Sequence, residues 1–455
     1  MTRCWFRRVC GALGAMIVLS GAAAPMRQLL NGGKLDWSVV AAVEQSTQAV
    51  RELKLKHDVP IIVVSPARVN RMLADELGRE YTPEQLDVDS RAGAMLGLYP
   101  SGTDLTSANL NLLASQLIAF YDFGKRRMVI VERLHVTESA GESAEGAREQ
   151  AAVDRMILAH EFTHALQDQN FALAKKDRAL RDNGDRELAL HAVAEGDATI
   201  AGYAEMVGKI SVAGVDLLVA NLAGISGAFA REVPNVPLGV SEPLIFQYTD
   251  GVRFVAEAYR RGGWKAVDAL YANPPLSTQQ IINPASYFDK PEAPVRVSVA
   301  GYEKALAGWR KADEDTYGEL SLRIIFKRLG DSRAADQGLI DQWAGDRIVI
   351  LRKRGTVGVI WLIAFRDSAS AARFATVYGG MIERVDGAAG VAHGIEAQRC
   401  EVIVAAGGLA AHFDSFAPAV LDASTRSGEC RREDGAAGQV RADRSSGAFI
   451  GAALR

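Results

Sequence analysis

The sequence predicts a mostly helical α+β protein, in which a large helical core is followed by a smaller α+β module. Apolar residues recur at the spacing of amphipathic helices over most of the chain before residue 300, and only two short apolar runs there predict strands. Beyond residue 300 the predicted order is strand, strand, helix, strand, which is typical of a small α+β unit. A length of 455 residues accommodates two or three domains.

Composition and charge exclude several classes of protein. The chain is 48% hydrophobic and 24% charged, an ordinary globular balance that excludes a wholly disordered or collagen-like protein. Its net charge at pH 7 is −3. Electrostatics therefore give no reason to expect nucleic acid as a partner.

The N-terminus has the pattern of an export signal. Three arginines lie within the first eight residues, an uncharged run follows over residues 9–26, and Ala22–Ala24 supplies small residues for cleavage. We therefore expect residues 1–24 to be a signal peptide and the protein to be periplasmic or secreted. The alternative is an uncleaved membrane anchor, although the run has barely the length that a membrane span requires.

The four cysteines divide between this signal and the mature chain. Cys4 and Cys10 lie in the predicted signal, which leaves Cys400 and Cys430. In an oxidising compartment this pair can form a disulfide, and two free thiols are the alternative. Two cysteines do not make a disulfide scaffold, so we expect the fold to depend on its hydrophobic core.

Residues 25–300 form the predicted helical core. Strands are expected where apolar residues run together, at Ile61–Val64 and Arg127–Glu132, and the polar composition of Thr137–Gly146 predicts a loop. Apolar periodicity predicts the helices of this core, over residues 37–56, 67–77, 83–96, 105–119, 148–171, 185–210, 215–231, 243–260 and 264–271.

Residues 301–417 form the predicted α+β module, which follows a change of composition near Val295. From Pro418 to residue 455 Gly, Ala, Ser, Arg and Asp dominate, so we expect a flexible tail. The same patterns predict the elements of the module, with helices over 317–329, 332–343 and 368–384 and strands over 347–351, 357–365 and 401–405.

One segment, His160-Glu161-Phe162-Thr163-His164, has the residue pattern of a metal site. It lies inside a predicted helix, where residues four apart share one face, so the two imidazoles are spaced to bind a single tetrahedral Zn²⁺. Glu161 is turned partly away from them and can take a proton from a water at the metal. The alternative is a chance match to the pattern.

A catalytic zinc site needs a third protein ligand, and the next predicted helix offers Glu195. Antiparallel packing of the two helices across the turn at 181–184 would bring this carboxylate beside both imidazoles. Gly196 would allow the helices to approach closely, and Asp197 is placed to accept a hydrogen bond from the outer nitrogen of a ligand histidine. The alternatives are a solvated carboxylate for Glu195 and a surface charge for Asp197.

The sequences H-E-F-T-H-A-L-Q-D-Q at 160–169 and E-G-D-A at 195–198 together resemble a bacterial, mostly exported family of gluzincin-type zinc metallopeptidases. The resemblance covers roughly residues 90–300. Gln279 and Asn283 depart from the family pattern, which has Glu and His at these places. Further matching segments are Gln116–Asp122, Tyr248-x-x-Gly251, Pro274–Thr278 and, more weakly, Gly345-Asp346-Arg347.

The resemblance implies a zincin-like catalytic core with a short strand beside the H-E-x-x-H helix. It also implies one Zn²⁺, with Glu161 as the catalytic base. The implied metal ligands are His160, His164 and Glu195.

A zinc hydrolase also needs a group that stabilises the oxyanion. The candidates are Tyr203, His191 and Tyr248, among which the sequence does not decide. His191 lies one turn before Glu195 and shares its helix face, with a buried structural histidine as the alternative. The strand at 127–131 is either an edge that pairs with an extended peptide or an internal strand.

These features predict an exported zinc-dependent peptidase that acts on a peptide or protein substrate and meets a membrane only through an uncleaved signal. An amidase acting on cell-wall peptides is a second enzyme hypothesis. The alternative from another class is a non-catalytic envelope binding or assembly protein that keeps the zinc-site scaffold. Glu161 argues against this alternative, because zinc-mediated scaffolding has no use for a base there.

Overall fold

The protein is an α+β molecule with a mostly helical N-terminal part and an antiparallel sheet in its C-terminal part, which confirms the predicted class. The computed structural model describes residues 9–11, 29–31, 34–116, 118–132, 144–232, 235–330, 338–383, 393–424, 440–442 and 450–451. None of the helices within these ranges is long and apolar enough to span a membrane.

The helices occur close to the positions that apolar periodicity predicts. The longest, α9, has a kink where Gly262 and Gly263 leave helical geometry, at the boundary between two helices in the sequence prediction. The helices are α1 (Trp37–Arg51), α2 (Pro66–Glu80), α3 (Pro83–Met95), α4 (Leu105–Gln116), α5 (Ala144–Phe171), α6 (Leu173–Arg178), α7 (Gly184–Val207), α8 (Val212–Glu232), α9 (Leu238–Ala272), α10 (Thr278–Ile282), α11 (Ala285–Phe288), α12 (Gly318–Leu329), α13 (Ser368–Ile382) and α14 (Phe413–Ala423).

The strands form three sheets, with orders β1-β5-β6-β4, β2-β3 and β13-β12-β10-β11-β9-β8-β7. Neighbouring strands are antiparallel except for β4 and β6, which are parallel. The strands are β1 (Val9–Gly11), β2 (Leu30–Asn31), β3 (Lys34–Leu35), β4 (Ile61–Val64), β5 (Ala119–Asp122), β6 (Arg127–Val131), β7 (Arg310–Asp315), β8 (Trp343–Lys353), β9 (Thr356–Phe365), β10 (His393–Gln398), β11 (Glu401–Gly407), β12 (Val440–Ala442) and β13 (Ile450–Gly451).

The first of these sheets decides between the two interpretations of the strand at 127–131. Strand β6 is internal, because β4 pairs with one side of it and β5 with the other. The edge interpretation is therefore wrong for β6. Strand β5 includes Ala119, where the sequence predicted the end of a helix, and its other side pairs with β1. Most of the predicted signal peptide lies outside the described residues.

Several further predictions need correction. Trp343 starts strand β8 rather than ending a helix, and β7 and β10 are strands that the sequence did not predict. Pro418 does not begin a flexible tail, because it lies inside α14, where Val420 and Leu421 are buried against the sheet. The predicted loop at 137–146 and most of the tail beyond Ser424 lie outside the described residues.

Helix α7 lies at the centre of the helical part, in backbone contact with α5 and α9. A Cβ atom at Gly196 would lie 2.4 Å from the carbonyl oxygen of Gly251 on α9. A Cβ at Gly202 would lie 2.8 Å from the carbonyl oxygen of Met156 on α5. The predicted role of Gly196 in close helix approach is confirmed, although the partner is α9 rather than the H-E-x-x-H helix.

A buried carboxylate joins the C-terminal sheet to α12. Asp346 on β8 accepts hydrogen bonds from the backbone N–H groups of Tyr317 and Gly318 and from the indole N–H groups of Trp343 and Trp361. Burial raises the pKa of Asp346, while these four donors act in the opposite direction. Because all its donors lie on α12, its N-cap and two strands, the carboxylate fixes α12 against the sheet.

We expect Gly196→Ala to destabilise the protein, because backbone carbonyl atoms at the crossing of α7 and α9 cannot move away from the new methyl group. Overpacking of this kind costs about 1–3 kcal/mol, and chemical denaturation measures it. Gly78→Ala is the matched control, since Gly78 lies in α2 and no atom lies within 4 Å of the position that its new methyl group would take. That variant should be neutral or more stable by up to about 1 kcal/mol. Equal stability of the two variants would contradict the close crossing.

Candidate metal centre

Two antiparallel helices carry the candidate metal ligands. Helix α5 holds His160 and His164 on one face, and α7 holds Glu195. Helix α7 begins where the side chain of Asn183 accepts a hydrogen bond from the backbone N–H of Arg186, which caps the helix. The turn that the sequence predicted at 181–184 therefore ends in a helix cap that sets the position of Glu195.

The three predicted ligands lie together. His160 Nε2 is 3.0 Å from His164 Nε2 and 3.1 Å from Glu195 Oε2, and His164 Nε2 is 3.5 Å from Glu195 Oε1. All three side chains are buried. Ligand atoms around one tetrahedral Zn²⁺ lie about 3.4 Å from one another, given metal–ligand bonds of about 2.0–2.1 Å. The donor atoms therefore have a chemistry and a spacing that could hold a metal ion.

The hydrogen bonds of Gln167 determine which nitrogen of His164 carries a proton. Gln167 Nε2 donates to the carbonyl oxygen of Ala194 at 2.9 Å and to Asp197 Oδ2 at 3.0 Å. This fixes the amide so that Oε1 faces His164 Nδ1 at 2.9 Å. An amide oxygen only accepts, so Nδ1 carries the proton, and a neutral His164 presents the lone pair of Nε2 to the cluster.

One oxygen of Glu195 provides a second test of the metal assignment. Glu195 Oε1 is buried, and its partner His164 Nε2 lies 3.5 Å away, at the limit of a hydrogen bond. A buried carboxylate oxygen whose partner is this distant is poorly satisfied, which costs free energy. A cation coordinated between this oxygen and the two Nε2 atoms would remove that cost, so the residues fit a bound metal ion.

Burial and mutual charge shift the pKa values of all three groups in the metal-free protein. Burial raises the pKa of Glu195, but the two imidazoles outweigh it and hold this pKa well below its usual value. Burial lowers the pKa of His164, but the charges of Glu195 and Glu161 and its hydrogen bonds raise it to about 9. Burial also lowers the pKa of His160, and here burial prevails. Below pH about 9 the metal-free centre therefore carries a second ring proton on His164.

Glu161 lies beside this centre without being one of its ligands. Its Oε2 atom accepts a hydrogen bond from the backbone N–H of Tyr121 at 2.7 Å, and the side chain is buried. Strand β5 thus orients the carboxylate from outside the helix. The sequence did not predict this contact, because it placed Ala119 in a helix and predicted no strand at Tyr121.

Asp197 has a different role from the predicted one. Its carboxylate does not accept a bond from a ligand histidine but from Gln167, which in turn bonds His164. It also accepts from Arg51 Nε at 2.6 Å and from the hydroxyl of Tyr271 at 2.7 Å. Arg51 and Asp197 are both fully buried, so the surface-charge alternative is excluded for Asp197.

Three residues of the hydrogen-bond network around Asp197 were not predicted from the sequence. Gln167 is not among the predicted site residues, although its position one turn after His164 on the same helix is a signal that could have indicated it. Arg51 lies 146 residues from Asp197 along the chain. Tyr271 lies 74 residues from it. Nothing in the local sequence indicates such long-range pairs.

Of the three candidate oxyanion donors, only Tyr248 has an observed contact with a ligand. Its ring stacks on His160 at a centroid distance of 6.1 Å and an interplanar angle of 24°. His191 Nε2 instead lies 2.7 Å from Asp177 Oδ1. Tyr203 is buried on α7. The geometry therefore favours Tyr248 among the three.

The two departures from the family pattern lie at the junction with the C-terminal sheet. Gln279 Nε2 donates to the carbonyl oxygen of Trp343 at 2.8 Å, and Gln279 Oε1 accepts from Arg366 at 3.3 Å. Asn283 caps the C-terminal end of α10. These bonds connect α10 and the sheet, and they are not bonds to the metal ligands.

The similarity to known proteins lies in a different part of the chain from the candidate metal centre. A family model described as a domain of unknown function (DUF8575) matches residues 304–416. These residues run from just before β7 into α14 and include strands β7 to β11. No curated protein and no solved structure matches the chain. The similarity therefore lies in the C-terminal sheet and does not reach α5 or α7.

We expect the affinity for zinc to fall as the pH is lowered from about 9. The metal needs a neutral His164, whose pKa in the metal-free protein is about 9, so one proton must leave on binding. The lowered pKa values of His160 and Glu195 add no further proton. Competition with a chromophoric chelator should show a loss of about tenfold per pH unit. An affinity that is constant between pH 6 and 9 would contradict the proton on His164.

We expect Asp197→Asn to destabilise the metal-free protein by about 3 kcal/mol, because it removes the fully buried partner of Arg51 and leaves this buried cation with the partly exposed Asp268. Urea denaturation in the presence of a chelator measures this loss. Asp268→Asn is the matched control, because Asp268 also lies 2.6 Å from Arg51 but its side chain is 34% exposed. Its loss should cost about 1 kcal/mol or less. If both variants lost the same free energy of unfolding, the burial of Asp197 would not explain the strength of its ion pair with Arg51.

Proposed function

We propose that the protein is a zinc-dependent peptidase with a zincin-like core. The observation that carries the proposal is the cluster of His160, His164 and Glu195, whose donor atoms are 3.0–3.5 Å apart. A carboxylate that is not a ligand, Glu161, lies next to it. Three protein ligands with a neighbouring base are typical of a catalytic zinc site rather than a structural one, which uses four.

The proposed chemistry is hydrolysis of a peptide bond by water. Zn²⁺ bound by the three ligands would lower the pKa of water to about 7 and polarise the substrate carbonyl. Glu161 takes the proton of the attacking water and then donates it to the leaving amine. Its hydrogen bond to Tyr121 N–H holds the carboxylate in one orientation while it does so.

Two other parts of the chain assist in this proposal. Gln167 keeps the proton of His164 on Nδ1, so that Nε2 stays available to the metal. Tyr248, stacked on His160, is the candidate donor to the oxyanion. The substrate class that this chemistry accepts is a peptide or the peptide segment of a protein.

We also propose that the protein is exported. The basic and apolar N-terminal pattern supports this location. Cys400 is disulfide-bonded, as is expected in an oxidising compartment, while its predicted partner Cys430 lies outside the described residues. The competing proposal is a non-catalytic envelope-assembly protein. The two proposals differ in one measurable respect: a peptidase needs the carboxylate of Glu161 for turnover, and an assembly protein does not.

We expect Glu161→Gln to remove activity and to leave zinc bound. The amide keeps the shape of the side chain and its oxygen can still accept from Tyr121 N–H, but it cannot take a proton. Turnover of a quenched-peptide mixture should fall by about 10²- to 10⁴-fold. Zinc content and the thermal unfolding temperature should stay near the wild-type values.

Glu205→Gln is a suitable control, because Glu205 lies on α7 and pairs with Arg155 rather than with the metal ligands. Its turnover should equal that of the wild type. A wild-type protein that binds zinc and cleaves nothing in a broad peptide library would favour the assembly protein. Hydrolysis that is unaffected by Glu161→Gln would show that the activity belongs to another site or another protein.

A further inference from the structure

A second group of metal-ligating side chains lies one helical turn from the first. Asp177 on α6 and Glu187 and His191 on α7 are all buried. One donor atom from each lies within 4.8 Å of the other two. The two groups share no residue, because the first consists of His160, His164 and Glu195.

The backbone explains how these residues meet. Glu187 and His191 are four residues apart on α7, so their side chains share one face of the helix. The chain turns sharply out of α5 at Ala172, which has a left-handed φ of 55°. Helix α6 then runs beside α7, and Asp177 Oδ1 lies 2.7 Å from His191 Nε2. Two separate elements therefore present ligands to one point.

The charge of the group favours a divalent cation. Two carboxyl groups and one imidazole lie together in a buried environment, where charge is costly. A divalent ion bound by two carboxylates and a neutral imidazole would have its charge balanced by its ligands. Mixed nitrogen and carboxylate donors are those that Zn²⁺ accepts.

We propose that Asp177, Glu187 and His191 form a second Zn²⁺ site that joins α6 to α7. Ligand atoms around one tetrahedral Zn²⁺ lie about 3.4 Å apart. Donor atoms within 4.8 Å of one another thus need to approach each other by at most about 1.4 Å to close around it. His191 lies four residues before Glu195, about 6 Å along the helix axis, so each ion has its own set of ligands. This site is independent of the proposed peptidase activity.

Zinc stoichiometry tests the proposal. After saturation with Zn²⁺ and removal of free metal, elemental analysis should give two zinc ions per wild-type chain. His164→Ala and His191→Ala should each retain one, and the double variant should retain none. His57→Ala, which changes an exposed histidine, should retain two. One zinc in the wild type, lost in His164→Ala, would overturn the second site while leaving the first intact.

A second measurement excludes loss of metal through misfolding. Glu187→Gln preserves side-chain volume, so it is introduced into the His164→Ala protein, in which only the second site remains. Zn²⁺ should raise the thermal unfolding temperature of His164→Ala, and this rise should disappear when Glu187→Gln is added. A zinc-dependent rise that persists in Glu187→Gln would show adventitious binding elsewhere. Failure of the peptidase proposal would change neither result.

Discussion

The buried carboxylate of Asp197 is the interaction on which the rest of the helical part depends. Through it α7 is bonded to Arg51 on α1, to Gln167 on α5 and to Tyr271 on α9. Burial and the charge of Asp197 raise the pKa of Tyr271 well above its usual value, so the hydroxyl stays a donor. The same carboxylate orients the amide of Gln167, whose oxygen faces Nδ1 of His164, so that a neutral His164 carries its proton on Nδ1. One charge thus stabilises the fold and sets the tautomer of a candidate ligand.

Three consecutive residues of α7 have three different neighbours because successive helical residues are rotated by about 100°. Glu195 faces the two histidines of α5, Gly196 allows backbone contact with Gly251 on α9, and Asp197 reaches Arg51. A larger residue at Gly196 would separate α7 from α9 and would move its two neighbours as well. The position of Glu195 relative to the two histidines therefore depends on how closely α7 packs against α9.

The sequence predicts those parts of the molecule that depend on local pattern. The spacing of His160 and His164 and the apolar periodicity of α5 and α7 predict the helices and the three side chains that lie together at the candidate centre, because helical geometry is local. Strand β7 was not predicted because its residues, Arg310–Asp315, are mostly polar and lack an apolar run. The partner of Glu161 was not predicted because β5 has only four residues and is defined by its pairing with β6 and β1. Long-range bonds such as that of Arg51 have no local signal.

The buried carboxylate of Glu161 is the feature that best supports the proposed catalysis. A fully buried carboxylate is costly. The backbone N–H of Tyr121 could donate equally well to the neutral amide of a glutamine, which has the same shape. That exchange would keep the contact with β5 and remove the carboxylate. Glu195, rather than Glu161, is the carboxylate that lies within 3.5 Å of both imidazoles. In the proposed mechanism the carboxylate of Glu161 takes the proton of the attacking water, which is the step that peptide hydrolysis requires.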